Sequence, residues 1–366
     1  MEYKRLGEYI EPVDERNSKL EIKLSQGICN EKYFQDPRQV AENSAADKIV
    51  RRGYFAYNRA TTRNGEKISI AYREGPDCTV SSAYQVFRIK DEEKLNPKYL
   101  LMWYKRPDFD KYARFRSHGS AHEFFEYEEM CNVRIPLPSI ERQREIVSEY
   151  GTLTNRIRLN NQMIQHLEAT AQALYRKTFV DNIDKESLPE GWRIGTLGEV
   201  ATCLDYKRKP LSEDERKPIK GMYPYYGAMS VVDHINQYIF DGTYLLFSED
   251  GANVIDENGH PALQYLWGKF WVNNHAHVLQ GNEVVSTEYL YIALKDVNAA
   301  HLVTGAAQPK INQENMNSIQ LVVPSKEDME EFNKIIQPVF YLYKQKTEEN
   351  DKLTELQSLL LAKMGQ

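Results

Sequence analysis

The sequence predicts an α+β protein: two mixed α/β globular regions separated by two long antiparallel coiled-coil helices, the whole an internal pseudo-twofold repeat. Three observations predict it. Segments recur at a spacing of about 190 residues. Each half opens with short β-rich runs broken by Gly, Asn and Pro. Each half then closes with a long heptad-patterned segment that holds only an early Gly or Pro.

The recurrences run in order along the chain. LGEYI (6–10) returns as LGEVA (197–201), and GYFAYNR (53–59) as TYLLFSE (243–249). NPKYLLMWYK (96–105) matches STEYLYIALK (286–295), and RIPLPSIERQREI (134–146) matches QLVVPSKEDMEEF (320–332). The predicted layout is a first globular region over 1–138, a helix over 139–181, a second region over 182–324 and a second helix over 325–366.

Within the first region, YFAY and VSSAYQVFRI read as strands and YLLMWYK as a helix, so NPKY marks a helix start. A short strand ending in Pro, RIPLP, leads to Ser139 at an N-cap position. In the helix that follows, Tyr150, Ile157, Ile164 and Ala171 recur at sevens, with Leu153, Asn160, Leu167 and Leu174 three residues later. The second region repeats this plan with YLLF, FWVNNHAHVLQ and the closing strand QLVVP. Ser325 then precedes a seam of Ile336, Tyr343, Asn350 and Gln357 with Val339, Lys346, Leu353 and Leu360. Helices of this length need a partner face, and each seam supplies one for the other. At 1.5 Å per residue, about 40 residues make a spacer of about 60 Å. Asn160, Lys346 and Asn350 are polar seam residues of the kind that fix register. Gly151 and Pro338 are early interruptions where the first turns are expected to bend.

Composition limits the function classes. The net charge of −6 argues against a uniformly basic coat. MEYKRLGEYI lacks the apolar core of a signal peptide, and no apolar run approaches a membrane span, so a soluble, cytoplasmic chain is expected. Cys29, Cys78, Cys131 and Cys203 are far apart and read as free thiols, with no local zinc motif. No GxxxxGK[ST] phosphate loop or nuclease constellation is present. NPKY echoes a methyltransferase motif but has no glycine-rich cofactor loop beside it. His275 and His277 share one face of a strand without a visible third ligand, so polar strand packing is expected there and no metal.

Local charge differs from global charge. Residues 51–73 carry six Arg or Lys against Glu66 alone, interleaved with Tyr54, Phe55, Tyr57 and Tyr72. Residues 105–118 carry Lys105, Arg106, Lys111, Arg114, Arg116 and His118; the second half offers Lys207-Arg208-Lys209 and the isolated Lys310. Such mixtures neutralise phosphates and reach base edges, and on charge alone they equally describe a solvated face.

LPEGWRIGTLGEV (188–200), YFAYNR (54–59) and TGAAQPKIN (304–312) followed by IQLVVPS, set in the doubled region-plus-helix plan, resemble the specificity (S) subunits of type I restriction-modification systems. The resemblance spans nearly the whole chain. It implies that each globular region is a target recognition domain reading one half of a split double-stranded DNA target. The helices would set the gap and dock two modification subunits, which carry S-adenosylmethionine and the N6-adenine methyltransferase chemistry. Restriction/translocase subunits are a further partner class. No cofactor is expected on this chain, and it is expected to catalyse nothing.

The heads differ outside the shared frame: KGMYPYYGAMS and FSEDGANV have no close match in the first half. An asymmetric target is therefore expected. Candidate DNA contacts are Arg59, Arg63, Arg114, Arg116 and His118 in the first head. In the second they are Lys207, Arg208, Lys209, Tyr226 and Asn253, with Lys310 as a phosphate contact. TGAAQPKIN itself is expected to pin the second recognition domain onto the root of the spacer helix, through a turn at Gly305 and a helix start at Asn312; the first half, with SHGSAHEFF, shows no counterpart of Lys310. The competing readings are a self-sufficient DNA enzyme and a coiled-coil interaction scaffold that does not bind DNA.

Overall fold

The computed structural model describes residues 2–37, 44–60, 67–118, 123–181, 183–184, 186–251, 254–305 and 308–365. The chain forms two compact units. One holds residues 1–160 and 349–366, the other residues 161–348. Each unit takes part of each long helix.

In the first unit, a four-stranded antiparallel sheet runs in the order Ile10–Val13, Tyr84–Ile89, Phe55–Asn58, Ile70–Tyr72. Phe55, Tyr57 and Phe87 fill its buried face with Tyr99, Trp103 and Tyr104 of the helix Pro97–Tyr104. Asn96 starts that helix: its Oδ1 accepts from the amides of Lys98 and Tyr99, and Pro97 occupies the first turn, where an N–H is dispensable. The second unit repeats the order with Ala201–Cys203, Ala276–Gly281, Phe240–Ser248 and Leu263–Val272, then adds the hairpin Lys220–Tyr226/Val231–Ile235. Its helix Thr287–Lys295 is capped by Ser286. In each unit a short antiparallel pair leads to a long helix: Tyr3–Arg5 with Arg134–Pro136, and Arg193–Thr196 with Gln320–Val323.

The two long helices are Ile140–Phe179 and Lys326–Lys363. Ser139 and Ser325 occupy the expected caps; Oγ of Ser325 accepts from the Asp328 amide at 3.1 Å and that of Ser139 from Arg142 at 3.3 Å. Both helices continue unbroken through Gly151 and Pro338. Pairing is antiparallel within each unit. Thr154 meets Gln357 at 2.7 Å and Asn160 meets Asn350 at 3.1 Å in the first; Phe179 packs on Phe332, rings 4.9 Å apart, in the second. The heptad seam is the covered face: Ile157, Ile164, Leu167 and Leu174 are half-buried, Asn160 and Ala171 buried, and Tyr343, Leu353 and Leu360 half-buried. Two helices cover a seam from one side only, hence the partial burial. Among the described residues no helix is long and apolar enough to cross a membrane. Cys78 is buried, the other three cysteines are half-buried, and all are free.

Candidate nucleic-acid interface

The first head assembles its candidate residues around one short stretch. His118 and Phe124 exchange backbone hydrogen bonds of 3.1 and 2.9 Å, and the amide of Phe125 donates to the carbonyl of Arg59 at 2.9 Å. Arg59 lies over the Phe124 ring and pairs with Glu126 at 3.3 Å. Arg114 pairs with Glu123, and Arg116 approaches Glu129 at 3.6 Å and the Tyr112 ring. Arg59, Arg114, Arg116 and His118 are thus brought together, while Arg63 lies outside the described residues. The three ion pairs are partly exposed. Such pairs contribute about 0–1 kcal/mol, so a phosphate can replace the carboxylate at little cost. Phe115, between the two helix-end arginines, is 80% exposed. The basic pattern of residues 105–118 gave no signal for it, since an aromatic carries no charge.

In the second head the same corner recurs with inverted charge. Thr304 and Lys310 exchange backbone hydrogen bonds of 2.8 and 2.9 Å, and the Ile311 amide donates to the carbonyl of Glu249 at 2.9 Å. Glu249 thus stands where Arg59 stands in the first head, and Lys310 where Phe124 stands. The first half has no lysine at this place, as read from the sequence, but the backbone register survives with Phe124 in it. Gly305 makes the turn at φ +85°, where a Cβ would lie 2.5 Å from the Gln308 carbonyl oxygen. Asn312 caps the next short helix. The strap closes on the end of the strand Phe240–Ser248 rather than on the spacer root. The root is held instead by Trp192, whose indole donates to Asp328 at 2.6 Å.

Beneath the strap lies a buried polar hub. Nδ1 of His277 faces Asp205 at 2.5 Å, and Nε2 donates to the Ile311 carbonyl at 2.9 Å. Arg208 bridges Asp205 at 3.0 Å and Glu249 at 2.6 Å and donates to the Ala276 carbonyl; Lys310 holds the other Glu249 oxygen at 2.8 Å. Burial raises the Glu249 pKa, but the hydrogen bonds from Lys310 and Arg208 outweigh it and hold the carboxyl below its ordinary value. The same balance, with His277 as the leading partner, lowers that of Asp205. Arg208, expected at a DNA surface, is committed to this hub and nearly buried. His275 is on the rim, 2.8 Å from Asp250.

Cys203, Asp205 and His277 bring donor atoms within 4.8 Å of one another. These donors do not suit a metal: Asp205 is already shared by His277 and Arg208, both histidine nitrogens are engaged, and burial pushes the Cys203 thiol up to about 11. The hub ties chain segments together.

The remaining candidates sit around this hub. Lys207 and Lys209 are exposed, with the Lys207 ammonium over the ring of Tyr206, itself 79% exposed. Tyr226 is half-buried at the hairpin end, edge-on to Phe270. Asn253 lies outside the described residues. The hairpin also exposes Met222 and Val232, a surface that no charge pattern could have signalled.

Comparison with known proteins agrees with this geometry. The family profile described as the type I restriction modification DNA specificity domain matches residues 46–169 and 189–355. A Haemophilus influenzae protein assigned by name to the type I restriction enzyme specificity subunits, S.HindORF215P, is 31% identical over 160 residues; the match covers 44% of this chain and 40% of that protein. The type I restriction enzyme HindI specificity subunit of the same organism is 21% identical over 401 aligned positions, covering 87% of each chain. The crystal structure of a type I restriction-modification S subunit from M. genitalium superposes with a TM-score of 0.60 at 15% identity, over 100% of this chain and 96% of that one. The doubled head-and-helix frame and the two profile matches agree: the chain belongs to the type I restriction-modification DNA specificity subunit family.

Proposed function

We propose that each head reads one half of a bipartite, asymmetric double-stranded DNA target and that the antiparallel helices set the gap between the halves. The observation that carries this reading is the shared corner with different side chains. One backbone register presents Arg59 over Phe124 in the first head and Glu249 with Lys310 in the second. A common frame with different heads is what reading two different sequences requires. Arg59, Arg114, Arg116, His118 and Phe115 are the proposed reading surface of the first head, joined by Arg63. For the second head the surface is Lys207, Lys209, Tyr226, Asn253 and the outer side of Lys310, with Arg208 holding the surface in place from within.

Modification subunits, two per chain, dock on the helices and supply S-adenosylmethionine and N6-adenine methylation. The exposed Leu159, Met163, Leu356 and Leu359 on the helices support a protein partner there. The test is a methylome: this chain expressed with its modification subunit in a methylation-free bacterial host, with the modification subunit alone as control. A split, asymmetric N6-methyladenine motif that requires this chain is the expected result. Soluble, copurifying partners with no motif would favour the interaction scaffold.

A further inference from the structure

The internal repeat provides a control for one cavity in the first unit. Lys295, in the second unit, holds its ammonium 3.5 Å from Glu168 of the first long helix. Its counterpart in the repeat is Lys105, and the counterpart of Glu168 is Thr354. Lys105 therefore lacks the carboxylate that its twin has. Among the described residues it makes no ion pair; its ammonium lies over the Tyr150 ring, 5.6 Å from the centroid. Burial pushes this ammonium down from its ordinary pKa. Glu74 offsets this charge without forming an ion pair with it, and is itself paired with Lys98 at 2.7 Å, so an incompletely solvated cation here favours an added anion.

Lys105 lines a cavity of about 420 Å³. Three further lysines line it, but two are neutralised within the protein: Lys32 by Asp110 at 2.6 Å and Lys67 by Glu31 at 2.8 Å. The Lys32–Asp110 pair is itself fixed, since Lys32 donates to the Ile68 carbonyl and Asp110 accepts from the Ile68 amide. Among the described residues Lys105 and Lys111 form no ion pair, and the one carboxylate acting on Lys105 is Glu74. Tyr150, beside Lys105, and Leu361 add apolar surface to the lining. Ammonium groups bind phosphate as point charges, and the volume is that of a small-molecule site.

We propose that this cavity binds a small phosphate monoester with an apolar or aromatic body, the phosphate on Lys105 and Lys111 and the body against Tyr150 and Leu361. This goes beyond DNA reading and is independent of it. The test is titration calorimetry on the full chain with adenosine 5′-monophosphate and phenyl phosphate, against inorganic phosphate and adenosine as half-ligands. At least one monoester should bind about 10-fold more tightly than either half-ligand, and Lys105→Met should weaken it by about 10-fold or more. Thr354→Glu, which installs the carboxylate found in the second unit, should abolish binding while leaving the lysine in place. The proposal is overturned if neither monoester binds at millimolar concentration, if both variants bind like the parent, or if inorganic phosphate binds as well as the esters. It is equally overturned if Lys105→Met impairs only duplex DNA binding, measured with the modification subunit present; Lys105 would then serve the DNA backbone.

Discussion

Gln143 is fully buried at the start of the first long helix, and three backbone groups depend on its amide. It accepts from the Asn96 amide at 2.8 Å and donates to the carbonyls of Lys94 and Pro138 at 3.0 Å each. Gln143→Ala leaves all three unpaired in a dry site and should cost about 2–4 kcal/mol, read from chemical denaturation of the full chain. The hub under the strap sets an acid limit. Glu249 and Asp205 have folded-state pKa values below their unfolded ones, so their contribution is complete above the usual carboxylate pKa and is lost as pH falls through the lowered values. Lys310→Met should therefore flatten the loss of second-unit stability below about pH 4, measured as melting temperature against pH. Lys105→Met should raise the melting temperature, since it removes a charge disfavoured by burial. None of these roles was legible in the sequence. Gln143 reads as an ordinary polar residue of a first helical turn, and Arg208 lies in a basic run whose inward-facing member only the fold identifies.

At the scale of elements the sequence was far more informative, because periodicity reports burial directly. The heptad seam, both serine caps of the long helices and the helix start at NPKY all follow from spacing and capping chemistry. Asn160 and Asn350 illustrate the physics. Each lies on the seam, and they hydrogen-bond to one another at 3.1 Å, so a register shift would leave buried amides unpaired. Replacing both by Leu should raise the melting temperature by a few degrees and relax register. Disulfide trapping between cysteines placed at Thr154 and Gln357 would then lose its selectivity over positions one heptad away. Expected bends at Gly151 and Pro338 did not interrupt the helices, since packing against a partner face outweighs local propensity. The strap went differently. Its turn and cap were legible, but its anchor was not, because sequence cannot show which strand end a loop closes upon.

At the scale of the molecule, the repeat was visible as recurring segments, yet the two compact units do not coincide with the two halves of the chain. The second is continuous from 161 to 348, whereas the first joins residues 1–160 to 349–366. Tyr3 donates its hydroxyl to the carbonyl of Gly365 at 2.8 Å, and Leu361 and Met364 lie in the same core as Leu6, Tyr99 and Ile135. This discontinuity has a consequence for biosynthesis. During translation the second unit can complete its core once residue 348 has cleared the ribosome, while the first must wait with part of its apolar surface uncovered until the final helical turns emerge. The unit synthesised first is thus the last to finish folding. The surface that waits is the part of the first core closed by Leu361 and Met364 and by the Tyr3–Gly365 hydrogen bond, since the aromatic sheet face is already covered by the helix Pro97–Tyr104.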